Sequence, residues 1–448
     1  MPTEQIPERE NSFSSMSFQQ EMPERQDKQR VMLRKLGSWL SNICCFLFLS
    51  FLMMLSVLYH LFMNYVKFDK FRHPRLRSPK PAYPLINQKD LKMTPDLSYY
   101  CELLGLQLSE YRITTKDGFI ISLYHLFDPS NGTPNKKPVL LLHGLLQSCG
   151  AYITSGTKSI AYMLVKNNYD VWLANNRCGF EPRHTVYTKY DREMWDWDLS
   201  EMAKFDLTRL IDEVLNITKW PGKLSLIGHS QGTAQITLLV SKEMDLGYND
   251  KIDNVVLLSP AIYGGVLLDE KLFIKFIKGI PNSVYNIFFG FHAFMPIMMS
   301  LRNIIVGTPI FGFCSYTMFS FLFDWDDQLW DPKIRTVHFM FSPVYVSAKL
   351  MKWWLSNKHG QGFQGGVPIL KAQGNWFHSD CPKMMLVVGG KDNLVNGDLF
   401  INKLYNEENM KERFIYRKLD EYSHLDVLWA DDVLERIGED MLHFLSSE

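Results

Sequence analysis

The pentapeptide Gly228-His229-Ser230-Gln231-Gly232 constrains the fold more than any other stretch of this 448-residue chain. It follows an apolar run, Leu224-Ser225-Leu226-Ile227, and precedes Thr233-Ala234-Gln235-Ile236-Thr237-Leu238-Leu239-Val240, which reads as a helix. A strand, a sharp G-x-S-x-G turn and a helix hold a serine on strained backbone, exposed above the end of a sheet. Glycine at both flanks leaves room for strand and helix to pack that closely. Ser230 is therefore the candidate nucleophile, and Gly228 and Gly232 shape its turn.

A serine hydroxyl is a poor nucleophile at neutral pH, so this reading requires a histidine base, an acid to orient it and donors for the oxyanion. After such an elbow the order is serine, then Asp or Glu, then histidine. Downstream, Met384-Met385-Leu386-Val387-Val388 reads as a buried strand ending in Gly389-Gly390-Lys391-Asp392. That puts Asp392 at a carboxyl end, where open α/β sheets gather ligand-handling residues. Another short strand, Phe414-Ile415-Tyr416, leads through a polar loop to Tyr422-Ser423-His424-Leu425-Asp426, which makes His424 the candidate base. The plainer readings are a turn or capping carboxylate for Asp392 and a partly buried loop histidine for His424. Asp398 and Asp426 compete as acids, although neither directly follows a strand. The oxyanion donors expected here are the backbone N–H of Gln231, just after the nucleophile, and that of Leu145, in the His143-Gly144-Leu145 turn after the strand Val139-Leu140-Leu141-Leu142.

Together with the serine and histidine segments, four stretches carry a resemblance: His143-Gly144-Leu145, Asn175-Asn176-Arg177, the Trp195-Asp196-Trp197 region leading into Glu201-Met202-Ala203-Lys204-Phe205-Asp206-Leu207, and Gly389-Gly390-Lys391-Asp392. The chain resembles the acid lipase family, which contains the gastric and lysosomal acid lipases and the membrane-anchored steryl ester hydrolases of fungi. The likeness runs from about Leu97 to the C-terminus, and the E-M-A-K-F-D-L segment is its most specific part. It implies an α/β-hydrolase fold with Ser230 as nucleophile, Asp392 as acid, His424 as base and Leu145 and Gln231 as oxyanion donors. Two positions depart from the family pattern: Cys178 intervenes between Arg177 and Gly179, and Ala430 stands where glycine commonly ends the H-L-D-x-x-W-G segment.

The remaining strands fit that architecture. Tyr111-Arg112-Ile113-Thr114 and Phe119-Ile120-Ile121-Ser122-Leu123 flank Asp117-Gly118 and predict a hairpin with a type I′ turn. Apolar runs around Leu141, Val171, Leu226, Val256, Leu386 and Phe414 alternate with helical patterns, the signature of a mainly parallel sheet covered on both faces. The stretch from Ala261 to Lys383 is too long for a connecting loop. Its many Phe, Met and Trp residues predict a helical cap over Ser230, at about 262–380, with a surface that accommodates flexible apolar ligands such as acyl chains or sterols.

Between Lys35 and Lys67 there is no Asp, Glu, Lys or Arg. The run Ile43–Met63 is long enough to cross a bilayer core, which takes about 20 apolar residues. It starts too far into the chain and runs too long for a signal peptide, and no small-x-small cleavage site follows. Basic residues flank it on both sides, Arg25 to Lys35 before and Lys67 to Lys80 after, so the positive-inside rule leaves orientation open between a single pass and a monotopic hairpin in one leaflet or a lipid-droplet monolayer. The chain thus divides into a disordered polar tail (1–35), a membrane segment (36–66), a basic proline-rich linker (67–95) and a lipase domain (96–448). In this layout the segment is a tether, separate from the enzyme. Endoplasmic reticulum, lipid droplet and plasma membrane all fit.

With 48 basic and 48 acidic residues the chain has no net charge, which excludes nucleic-acid binding by bulk electrostatics. Of seven cysteines, Cys44 and Cys45 lie in the membrane segment and five are scattered, a pattern that forms neither a disulfide framework nor a zinc motif. The expected function is hydrolysis of neutral lipid esters, steryl esters or triacylglycerols, at a lipid surface, with neither metal nor cofactor. An acyltransferase on the same fold and a non-catalytic lipid-binding or tethering protein are the alternatives.

Overall fold

The computed structural model of the protein describes residues 17–66, 81–87, 90–325, 327–355, 375–408 and 410–447, with backbone only for 17–36, 38 and 64–66. Residues 1–16 of the expected tail and the basic cluster Lys67 to Lys80 lie outside them.

Nine strands form one sheet: β1 (Gln107–Thr114), β2 (Phe119–Phe127), β3 (Pro138–Leu142), β4 (Asp170–Ala174), β5 (Arg183–His184), β6 (Leu224–His229), β7 (Ile252–Leu258), β8 (Lys383–Gly389) and β9 (Phe414–Leu419). Their order is β1-β2-β4-β3-β6-β7-β8-β9, with β5 paired to β2. β2 runs antiparallel to β1, β4 and β5, and from β4 to β9 every pairing is parallel. Side chains in a strand alternate between faces, so Leu140, Leu142, Leu226, Leu257 and Leu386 join one core while Val139, Leu141, Ile227, Val256 and Met385 join the other. Burial of both faces explains why these strands read as unbroken apolar runs.

The hairpin forms as expected but its turn does not. The Gly118 N–H bonds to Thr115 O, so the central residues are Lys116 and Asp117, and neither has positive φ. Gly118 follows at φ 93°. This is a type I turn closed by a left-handed residue, the longer hairpin solution, because the turn encloses one residue too many for type I′.

Arg177, in the loop after β4, meets Asp206, in the π-helical turn Met202–Leu207. Its Nε and Nη2 donate to the carboxylate at 2.7–3.1 Å, and its backbone N–H does so at 2.9 Å. Nη2 also lies 2.9 Å from Asp117 Oδ2 in the hairpin turn, and the guanidinium stacks 4.1 Å above Phe119. Two segments that carried the resemblance are thus the halves of one buried clamp.

Between β7 and β8 the chain leaves the sheet as a cap. Its main helices are Leu272–Gly279, Asn282–Phe289, Pro296–Ile305, Pro309–Phe323 and Ala348–Trp354. The N-terminal helix spans Ser17–Val66 and contains the apolar segment Trp39–Met63, long enough to cross a membrane by length and composition. Helix begins well inside the tail expected to lack structure: its Gln, Glu, Lys and Arg residues are good helix formers, and extending a helix costs far less than nucleating one.

The apolar segment does not stand apart from the enzyme either. Ser41 Oγ donates to Asn286 O at 3.2 Å and Cys45 Sγ to Phe288 O at 2.7 Å. Phe48 packs edge-on against Phe289 at 5.2 Å, and farther along Tyr59 meets Phe321 at 5.6 Å. The expected tether is in this respect a sixth cap helix. Cap and helix share apolar surface that pattern reading assigned to lipid alone. The end of the expected linker is docked as well: Tyr83 is fully buried and its hydroxyl donates to Thr154 O at 2.9 Å.

Two predictions follow from the buried charges and rings. Asp206→Ala leaves the Arg177 guanidinium buried without its main partner, so unfolding free energy should fall by about 3–5 kcal/mol, read as a lower melting midpoint; an unchanged midpoint would show that the clamp adds nothing. His143 and His338 are fully buried, and desolvation holds their imidazoles down to about 4 and about 3. Their Nε2 atoms have no hydrogen-bond partner among the described residues. The unfolded chain therefore binds protons that the folded chain refuses as pH falls below about 6.5. Stability should be complete above that pH and decline below it, by on the order of 1 kcal/mol per histidine per pH unit. Melting midpoints at pH 7, 6 and 5 measure the slope, which His338→Gln should flatten.

Candidate active site

β6 delivers the chain to Ser230, whose backbone sits at φ 50°, ψ −117°. A Cβ on Gly232 would lie 2.4 Å from Leu142 O, and one on Gly228 2.8 Å from Thr233 N, so both flanks must be glycine for β6, the helix Gln231–Leu239 and the end of β3 to pass each other. The Ser230 N–H is tied to Leu258 O at 3.0 Å. The side chain thus stands clear of the helix that begins at its own position.

His424 arrives from the loop after β9. That loop runs close against the end of β8, where a Cβ on Gly389 would lie 2.4 Å from Tyr422 O. The imidazole Nδ1 lies 2.7 Å from Asp392 Oδ2, and Nε2 lies 2.8 Å from Ser230 Oγ. With its hydrogen on Nδ1 facing the carboxylate, the ring accepts the serine O–H at Nε2. Asp392 Oδ1 accepts the N–H groups of Leu394 at 3.0 Å and Val395 at 3.2 Å, which fix the carboxylate in place.

The competing acids are engaged elsewhere. Asp426 accepts from Trp330 Nε1 at 2.7 Å and from the Ser423 N–H and hydroxyl at 2.6 and 2.8 Å. Asp398 is exposed and pairs with Lys418 at 2.8 Å. The structure brings Ser230, Asp392 and His424 together and leaves both alternatives outside.

Several positioning contacts escape the sequence. The His424 carbonyl accepts from His229 Nε2 at 3.1 Å and from Ser259 Oγ at 3.2 Å, so the loop carrying His424 is pinned from below. Burial, reinforced by neighbouring His424, holds His229 well below the usual histidine range. It therefore stays a neutral ring with a hydrogen to donate. From above, Trp325 of the cap stacks on His424 with centroids 5.5 Å apart and planes 9° from parallel. Trp354 Nε1 donates to Gln231 Oε1 at 2.7 Å, docking a cap helix on the residue after the serine. Only His229, inside the pentapeptide, lay in a motif.

Gln231 directly follows Ser230, and the His143-Gly144-Leu145 turn comes up against it: a Cβ on Gly144 would lie 3.1 Å from Ser230 Cβ. Gln231 opens its helix, so its N–H has no acceptor within that helix. Among the described residues neither that amide nor that of Leu145 finds a backbone partner elsewhere. Above them lies a cavity of about 580 Å³. Its lining is almost wholly apolar: Phe273, Met298, Phe319 and Trp325 come from the cap, while Ser230 and His424 supply polar groups at the sheet end. Among the described residues no group of three His, Cys, Asp or Glu side chains is placed to hold a metal ion.

Residues 97–156 match the family described as a partial alpha/beta-hydrolase lipase region, and residues 137–288 match the alpha/beta hydrolase fold. Over 397 residues the chain is 42% identical to sterol esterase 2 of Saccharomyces cerevisiae, covering 80% of this chain and 73% of that one. It is 29% identical over 352 residues to a probable lipase of Schizosaccharomyces pombe, covering 75% of this chain and 76% of that one. Human gastric triacylglycerol lipase is 26% identical over 389 residues, with 80% of this chain and 92% of that one covered. On this likeness, and on the fold that carries it, the chain belongs to the acid lipase family of α/β-hydrolases, close to the fungal steryl ester hydrolases, and is a carboxylic ester hydrolase acting on lipid esters.

Proposed function

We propose that the enzyme cleaves neutral lipid esters, steryl esters foremost and triacylglycerols second, through a Ser230–His424–Asp392 triad at a membrane or lipid-droplet surface. The observation that carries the reading is the continuous hydrogen-bonded line from Ser230 Oγ through His424 to Asp392, at 2.8 and 2.7 Å, opening into an apolar chamber of about 580 Å³. Such a volume falls within the range of sites that bury most of a sizeable organic ligand. The likeness to a sterol esterase favours steryl esters, and the likeness to gastric triacylglycerol lipase keeps acylglycerols in range.

In this mechanism Ser230 Oγ attacks the ester carbonyl while His424 takes its proton. The oxyanion of the tetrahedral intermediate is held by the N–H groups of Leu145 and Gln231. His424 then protonates the leaving alcohol, and a water activated by the same ring releases the fatty acid from Ser230. Asp392 keeps the imidazole oriented and stabilises it when charged. The apolar segment Trp39–Met63 supports a lipid-surface location, as do Leu272, Phe276 and Ile304, which are large, apolar and exposed on the cap.

Ser230→Ala should abolish hydrolysis of cholesteryl oleate and triolein in mixed micelles without lowering the melting midpoint; activity within a few-fold of the parent would overturn the assignment of the nucleophile. Asp392→Asn should cost about 10⁴ in kcat, because an amide partner favours the wrong imidazole tautomer. Asp398→Asn should stay near the parent rate. Equal losses for the two would mean that the acid has been misplaced.

A further inference from the structure

The cavity over Ser230 is not closed by the cap alone. Phe48, Leu49, Leu52 and Met53 of the N-terminal helix line it beside Phe289 and Met298 of the cap. The helix divides lengthwise. Ser41, Cys45, Leu52 and Ser56 are buried, at the spacing of one helical face, whereas Leu47, Phe51, Met54 and Leu58 on the other face are each more than half exposed. An apolar helix with one side left exposed among the described residues, running along the lid of a lipid-cleaving enzyme, has a surface suited to acyl chains rather than to water.

The position of the chamber's mouth follows from which lining residues are also exposed. Ile304, at the end of helix Pro296–Ile305, is 76% exposed, and Ser50 on the N-terminal helix is exposed as well. Both line the chamber. The opening therefore lies between these two helices, next to Phe51 and Met54, on the face where the apolar surface is continuous.

We propose that the helix Trp39–Met63 is a wall of the acyl-binding chamber as well as an anchor, and that the ester enters sideways, from the lipid in which the helix's outer face sits, through the gap between it and Pro296–Ile305. This rests on the catalytic reading of Ser230. It makes the helix a determinant of chain-length specificity, through Leu49, Leu52 and Met53. A butyryl group fills little of the chamber, whereas a palmitoyl group must lie along those side chains.

The test uses the full chain purified in detergent micelles, with p-nitrophenyl butyrate and p-nitrophenyl palmitate as paired substrates. Leu49→Trp and Met53→Trp place an indole in the chamber. The palmitate-to-butyrate ratio of kcat/KM should fall about tenfold, mainly through KM for palmitate. Leu58→Trp, on the outer face, should leave the ratio where it was. An unchanged ratio in the two lining variants, or an equal fall in Leu58→Trp, overturns the proposal. If either tryptophan variant loses cooperative melting, Leu49→Ala and Met53→Ala replace it. They widen the chamber and should move the ratio by several-fold; a parental ratio there overturns the proposal too. Ser230→Ala separates the two readings: if it still cleaves butyrate, the catalytic assignment has failed, whatever the ratio does in the helix variants.

Discussion

The site depends on a close approach of backbones at the carboxyl end of β3. Gly232 and Leu142 O pass so near each other that no side chain fits between them, and the turn at Ser230 adopts positive φ to make that passage. Such a conformation costs on the order of 1–3 kcal/mol and persists only where its surroundings over-determine it. Here they do: the Ser230 N–H is held by β7, Thr233 Oγ1 bonds back to Ser230 O, and the strand before the turn is buried along its whole length. The rigidity of the parallel sheet is thereby transferred to one hydroxyl oxygen.

The same sheet explains how residues almost two hundred positions apart reach one point. Ser230, Asp392 and His424 each follow the carboxyl end of a parallel strand, on β6, β8 and β9, so chain direction alone sends all three to one edge of the sheet. This part was legible in the sequence, because a strand followed by a glycine-flanked serine, and a strand followed by Gly-Gly-Lys-Asp, are local signals. That Asp392 rather than Asp426 lies against His424 was also legible, since only Asp392 directly follows a strand. Contacts made by the cap were not. Trp325 and Trp354 lie in a long insertion without period or motif, and their place over His424 and Gln231 is set by tertiary packing alone.

The apolar helix shows the same limit from the other side. Its length and lack of charge were plain, but a uniformly apolar helix carries no sequence record of which face meets protein and which meets lipid, because both environments select the same side chains. Its few polar residues do not mark the face either: Ser41 and Ser56 are buried, but Ser50 is exposed. The Arg177–Asp206 clamp is the converse case. A buried charge pair needs specific partners, so it leaves a specific sequence trace, and it joins two of the segments that made the family recognisable.

The apolar lining of the chamber has a consequence for the second half of the proposed reaction. In the proposed mechanism an acyl group on Ser230 waits for one water molecule per turnover, whereas an almost wholly apolar lining repels that water along most of its length. The elbow end of the lining carries polar side chains, at Gln147, His229 and His424, and farther out Arg302 and Ser315 interrupt the apolar cap. Water reaching the acyl-enzyme therefore competes with any alcohol already dissolved in the apolar phase, and the balance between release of a free fatty acid and its transfer to another lipid alcohol is set by the relative solubility of the two acceptors in that space.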